Sequence, residues 1–453
     1  MSGYGNEEKT ELLGLAKNNV RLDIIKKVIT EVKRHFVPFN DLVKTPASLK
    51  YQDYNLMWNR DAAYSSYYIT KFIKTAKRTG LYRLLNDDID ELDRLNGRLI
   101  DTLWENLDSE VKKIKMNGYE ADISRLESKL GNNHILSRFD IDEKGTKRPD
   151  KDKNEGKTLR SWTMQYDSAP LILMATEEYL QEHGMAGLEM APKRIIRDLD
   201  FLVNYMYNFH KTPCADAWEQ YYFYDRDSAV NGQAYAGKTI DSYMVSSLYK
   251  GIKSAKAMAK ILDVKLTNVD ESEISKFLVD NFVVSDEKRG TFLAKSKVEY
   301  GETMASIGAE EIEIFGTFKP EGVESFEENT VKTIENELFH GDPLPIRYKF
   351  FGRYRGIIDT YFGRGSWFHL GLQYSMYLIE KGRKEEASNV IAYVESRIAD
   401  DGSIPEQEVY DRNRVNDPNR FFERNENSTI KCLFWAESAY LAAVAGLINK
   451  FKL

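Results

Sequence analysis

Cysteine, proline and histidine are all scarce in this sequence, and each shortage removes a class of protein. Cys214 and Cys432 are the only two cysteines in 453 residues, too few for a disulfide framework and without the spacing of a zinc site. The 11 prolines and 28 glycines form no Pro- or Gly-rich linker, so nothing marks a boundary between domains. The histidines, His35, His134, His183, His210, His340 and His369, include no His-x-x-x-His or His-Glu-x-x-His pair, which argues against a zinc hydrolase. There is no Gly-x-Ser-x-Gly, no P-loop and no Gly-x-Gly-x-x-Gly opening a helix after a strand. The expectation is therefore chemistry without cofactor or metal. A net charge of -7 offers no basic footprint, so neither nucleic acid nor an anionic membrane is expected as a partner. No apolar run approaches the length of a membrane span, and Met1-Ser-Gly-Tyr-Gly-Asn-Glu-Glu has no signal-like apolar stretch, so a cytosolic location is expected.

Aromatic residues and helical periodicity are abundant instead. The 27 Tyr, 22 Phe and 6 Trp suit sugars and other flat amphipathic ligands, although a large core uses them too. Apolar residues at helical spacing, as in Val20, Leu22, Ile24, Ile25, Val28, Ile29 and Val32, predict a helix there. The same pattern predicts helices from Asp61 as an N-cap through Phe72, and over 85–106, 166–182, 192–209, 238–263, 271–284, 324–339, 366–382, 384–398 and 429–450. A twelfth is plausible over roughly 6–17. Short β-like runs fall at Thr291–Ala294 and Lys297–Tyr300. Segments 107–160 and 286–323 read as long irregular regions, a length usually associated with function or mobility. The charge-dense run Asp142–Lys157 reads as solvated surface, and Asp140-Ile141-Asp142 with Gly145 lacks most of a calcium-loop pattern. One all-α domain over 1–453 is expected.

Four stretches carry chemistry. The first, Cys214-Ala215-Asp216-Ala217-Trp218-Glu219-Gln220, crowds an indole, two acids and an amide between helical segments. An apolar neighbour such as Trp218 can raise a carboxylic acid's pKa and ready it to donate a proton. The others are Trp58-Asn59-Arg60-Asp61, the run Gly352-Arg353-Tyr354-Arg355 to Gly365-Ser366-Trp367, and Asp401-Gly402-Ser403-Ile404-Pro405-Glu406-Gln407. Each alone has a plainer reading. The Trp pins a loop, Asp61 caps a helix, the arginines hold surface carboxylates, and Asp401-Gly402-Ser403 makes a turn.

Taken together and in order, these stretches resemble glycoside hydrolase family 15, the glucoamylase-like inverting α-glucosidases. In that family a Trp-x-Arg-Asp motif holds the terminal sugar, an Asp-x-Trp-Glu motif supplies the general acid, and a Gly-Ser-x-x-Glu-Gln motif supplies the general base. Here they are Trp58-Asn59-Arg60-Asp61, Asp216-Ala217-Trp218-Glu219 and Gly402-Ser403-Ile404-Pro405-Glu406-Gln407, followed by a similar closing helix, Phe434-Trp435-Ala436-Glu437-Ser438-Ala439-Tyr440. The resemblance spans residues 20 to 450 or so. It implies an all-α (α/α)6 barrel of six inner and six outer helices, without the N-terminal β-sandwich or starch-binding module of some members.

The resemblance further implies Glu219 as acid and Glu406 as base, with Tyr54 beside the base and its water. Arg60 and Asp61 would grip vicinal hydroxyls of a terminal glucose, one donating and one accepting. Trp162, Trp218, Gln220 and Trp367 would line the site. The second sugar-binding arginine is either Arg353, by motif, or Arg355, by its spacing to Asp359, Tyr361 and Trp367. The implied activity is exo-cleavage of an oligosaccharide substrate, releasing β-glucose from maltodextrin or glycogen-type ends. Two departures bear on linkage. Gln220 stands where many fungal members have Glu, and Gly365-Ser366-Trp367 is a residue shorter than the usual Gly-Asn-Pro-Trp. Trehalase and 1,6-linkage activities on the same scaffold are the alternatives, and a regulatory barrel like that of phosphorylase kinase subunits is the non-enzymatic one.

Overall fold

The computed structural model describes residues 19–50, 57–116, 138–142, 145–147, 167–211, 239–298, 303–304, 306–341, 343–350, 365–408, 430 and 432–452. Twelve helices are built from them: α1 (Asn19–Arg34), α2 (Asn59–Arg78), α3 (Leu81–Met116), α4 (Ser168–His183), α5 (Ala191–Phe209), α6 (Ser242–Leu262), α7 (Ser272–Phe282), α8 (Glu311–Glu313), α9 (Glu327–Leu338), α10 (Phe368–Glu380), α11 (Lys384–Glu395) and α12 (Phe434–Phe451). The short α8 runs on as a π-helical turn, Ile314–Phe318.

These helices alternate between two layers. The even-numbered ones close a ring, α2 against α4, α4 against α6, α6 against the π-turn of α8, that turn against α10, α10 against α12, and α12 back against α2. The odd-numbered helices back them: α1 lies on α12, α3 on α2, α5 and α7 on α6, and α11 on α10 and α12. α9 is tied to α10 by Tyr374 Oη and Tyr377 Oη, which donate to Glu335 (2.6 Å) and Glu327 (2.8 Å).

Sequence pattern explains the layering. α5 is amphipathic, with Ile195, Leu199, Leu202, Val203 and Met206 buried and Ile196 exposed on the opposite side, as a helix with one packed face must be. α4 and α12 bury nearly every side of their length, as inner helices do. Small residues let the inner helices approach. Ala62, Ala63, Ser65 and Ser66 of α2 are buried, and a Cβ on Gly251 of α6 would run into Pro170 of α4.

Several expectations need correction. α2 starts at Asn59 with Trp58 as its N-cap, so Asp61 sits in the first turn instead of capping it. α3 continues ten residues past the expected 106, because Glu110, Val111 and Ile114 are buried. The irregular stretch over 286–323 contains α8, an inner helix that periodicity cannot reveal in three α-helical residues. Part of the charged segment is an antiparallel hairpin, Arg138–Asp142 with Gly145–Lys147, whose first strand also pairs with Met57–Trp58. The expected helix over 6–17 lies outside the described residues, and 51–56, 148–166, 212–238 and 351–364 do too. None of the described helices is long and apolar enough to cross a membrane.

Candidate active site

An alternating inner and outer path brings the N-termini of the inner helices together at one end of the ring, and the polar residues of their first turns meet there. Arg60 and Asp61 lie in the first turn of α2, where Asn106 Nδ2 of α3 donates to Asn59 Oδ1 at 3.0 Å and fixes the turn. Arg60 Nε donates to Asp61 Oδ1 at 3.3 Å, and Arg60 Nη1 lies 3.9 Å from Asp167 Oδ2 at the start of α4. All three residues are buried. The Arg60 guanidinium carbon sits 5.9 Å from the ring centre of Trp435, in the first turn of α12. Burial pushes the Asp61 carboxyl up, and its Arg60 partner opposes that shift. A buried guanidinium beside two carboxylates offers paired donors and acceptors at fixed spacing, the pattern that vicinal hydroxyls match.

Aromatic groups wall this cluster. Trp435 stacks 4.6 Å from Tyr64 and lies tilted against His369 at 4.3 Å, and His369 lies edge-on to Trp367 at 5.6 Å. Arg347 stacks over Trp367 at 4.5 Å. Burial, then Arg60 and Arg347, hold His369 well below the usual histidine range, so it is a neutral imidazole at pH 7. Tyr243 of α6 shares a 2.9 Å hydrogen bond with Tyr64. Its phenol is pushed well above its ordinary range by burial and by Asp167.

Glu406 is held at the same end by its backbone. Its N–H donates to Ile430 O at 2.8 Å, and its carbonyl accepts from Phe368 N, the first residue of α10, at 3.1 Å. Gln407 pairs antiparallel with Trp367. The preceding turn depends on Gly402, whose φ of +93° belongs to glycine and whose missing Cβ leaves room for the Lys27 carbonyl of α1. Asp401 anchors the turn's other side, accepting from Ser403 N and Oγ and from Lys50 Nζ. Those contacts, the Lys50 ion pair first, bring its carboxyl down to about 2.

A second acidic group joins the starts of α6 and α8. Asp241 caps α6 by accepting from Tyr243 N and Met244 N, and Lys295 Nζ pairs with it at 3.2 Å and with Glu310. Glu311 accepts from Gly308 N at 2.6 Å and from Ser242 Oγ at 3.4 Å. Burial, reinforced by Asp241, raises its carboxyl to about 8. Fully enclosed and hydrogen-bonded to the chain, Glu311 fastens two inner helices.

Of the residues singled out in the sequence, Trp58, Arg60, Asp61, Trp367 and Glu406 are thus brought to one end of the ring. Tyr54, Trp162, Trp218, Glu219, Gln220, Arg353 and Arg355 lie outside the described residues. Sequence reasoning passed over Arg347 and His369. The only available signal for His369 was its place two residues after Trp367.

Neither a protein-family model nor a curated protein matches the chain. Solved structures do. A glycosidase of 16% identity superposes with a TM-score of 0.63 over 95% of this chain and 98% of its own. A glycosidase variant in complex with glucose gives 0.61 at 16% identity, with the same coverage of both chains. The glucoamylase of Hormoconis resinae gives 0.57 at 12% identity over 94% of this chain and 72% of its own. The fold is an (α/α)6 barrel. In such a barrel the inner-helix N-termini form one shared end, and the Arg60, Asp61, Asp167, His369, Trp435 and Glu406 cluster occupies it here.

Proposed function

We propose that the chain is an exo-acting, inverting glycoside hydrolase that releases β-glucose from the non-reducing ends of α-glucans such as maltodextrin or glycogen. The observation that carries this reading is the backbone clamp holding Glu406 on the first residue of α10, at the ring end where Arg60, Asp61 and Asp167 lie buried under Trp435. A base must be fixed relative to the sugar it serves, and a buried Arg with two carboxylates is suited to gripping a terminal ring. The fold shared with glycosidases and a glucoamylase supports the same class.

The reaction assigns two opposite roles. Glu219 protonates the leaving glycosidic oxygen, with Trp218 excluding water from it. Glu406 takes a proton from the water that attacks C1 on the opposite face. Inversion requires the two carboxyls to stand about 6.5–9.5 Å apart, leaving room for that water. Arg60 and Asp61 hold the terminal hydroxyls, and Tyr54 and one of Arg353 and Arg355 complete the sugar's contacts. The whole chain acts as one catalytic unit in the cytosol on soluble oligosaccharides. Gln220 and the shortened Gly365-Ser366-Trp367 weaken the case for a 1,4 preference, and the second reading is therefore a trehalase or a 1,6-linkage glucosidase on the same scaffold.

Glucose release from maltose, maltotriose, isomaltose and trehalose by the purified protein separates these readings, and release from none of them contradicts hydrolysis. Glu219→Gln and Glu406→Gln should each lower kcat by about 10²–10⁴-fold, the usual contribution of an acid–base group. A loss of only a few-fold at either position would mean that another carboxyl does that work.

A further inference from the structure

A second buried cluster adjoins the Glu406 loop and has no part in the hydrolysis. It contains Glu31 of α1, His35 just after that helix, Cys432 just before α12, and Glu437 in the first turn of α12, all at most 1% exposed. His35 Nδ1 lies 2.8 Å from Pro46 O. A carbonyl can only accept, so Nδ1 carries the hydrogen and Nε2 is the ring nitrogen whose lone pair is available to a metal ion. That lone pair faces Cys432 Sγ at 3.3 Å and Glu437 Oε2 at 3.1 Å. Cys432 Sγ is also 3.0 Å from Glu31 Oε1. Glu437 Oε1 accepts from Ile404 N at 3.2 Å, whereas its fully buried Oε2 accepts no hydrogen bond among the described residues. At these distances one cation, whether a proton on Nε2 or a metal ion, can bridge the imidazole nitrogen and the carboxylate oxygen, and only a metal ion takes the sulfur as well.

We propose that His35 Nε2, Cys432 Sγ and Glu437 Oε2 bind one zinc ion, with Glu31 Oε1 as the fourth ligand. The three first-named ligand atoms lie within 4.8 Å of one another. Zinc bonds of about 2.0–2.3 Å in a tetrahedron set neighbouring ligand atoms roughly 3.4–3.6 Å apart, against 3.3 Å from His35 Nε2 to Cys432 Sγ, 3.1 Å from His35 Nε2 to Glu437 Oε2 and 3.0 Å from Cys432 Sγ to Glu31 Oε1 here. Thiolate, imidazole and carboxylate are all ligands that zinc takes.

The outer contacts fit as well. Pro46 O orients the His35 ring, Ile404 N holds the far oxygen of Glu437, and Arg34 Nη1 holds the far oxygen of Glu31 at 2.7 Å. Charges balance: the Cys432 thiolate and Glu437 match the ion, and Arg34 matches Glu31. Burial, then Glu437 and Glu31, push the Cys432 thiol far up, so the metal-free site holds S–H. Binding forms the Zn–S bond and releases that proton to solvent. Cys432 itself sits at φ +66°, an uncommon backbone for a residue with a side chain. The ligands come from opposite ends of the chain, which is why no zinc-type spacing exists in the sequence. The bound ion would lock α1 to α12 and to the loop that carries Glu406.

The test is metal content and cobalt spectroscopy of the full-length protein, neither of which depends on catalysis. Protein grown with zinc and purified without chelator should carry about one zinc per chain, falling below about a tenth of an equivalent in Cys432→Ser and His35→Gln and staying near one in Cys214→Ser. Stripped wild-type protein titrated with Co²⁺ should develop a thiolate-to-cobalt charge-transfer band and the intense visible bands of a tetrahedral site. That titration decides the matter even where a variant fails to fold. Absence of both zinc and the cobalt bands in the wild type overturns the proposal, and so does a charge-transfer band that persists in Cys432→Ser.

Discussion

Replacing Glu313 with Gln should change how the protein's stability depends on pH. Glu313 ends the α-helical part of α8 and faces the middle of the ring, only 3% exposed. Its neighbours are Tyr64, Thr317 and Lys71, and its charge is felt by Tyr68 and Tyr243. Burial raises its carboxyl from 4.5 to about 7, against the contrary pull of Thr317, Lys71 and Tyr64. Because the folded pKa lies above the unfolded one, the native state holds the proton more tightly. The stabilisation is complete below the unfolded pKa and is lost as pH rises through the folded one. A shift of that size corresponds to roughly 3 kcal/mol at about 1.4 kcal/mol per pH unit. Urea unfolding at pH 4.5, 6, 7 and 8.5 should therefore show wild type losing about 3 kcal/mol relative to Glu313→Gln over that range, with most of the loss falling between pH 4.5 and 7 and the difference levelling off above pH 7. A stability difference that stays constant with pH would refute the argument.

Two further substitutions probe the site's scaffold. Gly402→Ala adds a Cβ against the Lys27 carbonyl at a φ of +93°. Left-handed backbone and overpacking together should cost about 2–5 kcal/mol in urea unfolding and lower kcat by displacing Glu406. A neutral effect would mean the turn is not fixed as described. Arg60→Lys keeps the charge but loses the planar fork beside Asp61 and Asp167. It should lower kcat/KM about 10–100-fold, the worth of one or two charged hydrogen bonds, with little change in unfolding midpoint. An unchanged kcat/KM would remove Arg60 from the substrate site.

The outer helices were legible because one face of each packs and one meets water, as in α1 and α5, so apolar residues recur at helical spacing. Ring closure left no such trace, and the barrel was foreseen through its motifs. α8 was illegible for a physical reason. Three α-helical residues give no period, and Glu310, Glu311 and Glu313 look like surface until Lys295, Gly308 N and Tyr64 are found around them. The site divides in the same way. Trp58, Arg60, Asp61, Trp367 and Glu406 sit in local motifs and could be read from them. Asp167, Arg347, His369 and Trp435 become neighbours only when four separate segments converge. The cluster of Glu31, His35, Cys432 and Glu437 is the extreme case, since contacts such as that of Cys432 with Glu31 join residues 401 positions apart.

The proposed chemistry turns on which face of the sugar the water attacks. Proton NMR during the first minutes of maltose hydrolysis, before mutarotation equilibrates the product, reads that directly. The account predicts that the newly released glucose appears as the β-anomer, and that this signal is lost in Glu406→Gln. Initial release of the α-anomer, or undiminished β-glucose from the Glu406→Gln protein, would contradict it.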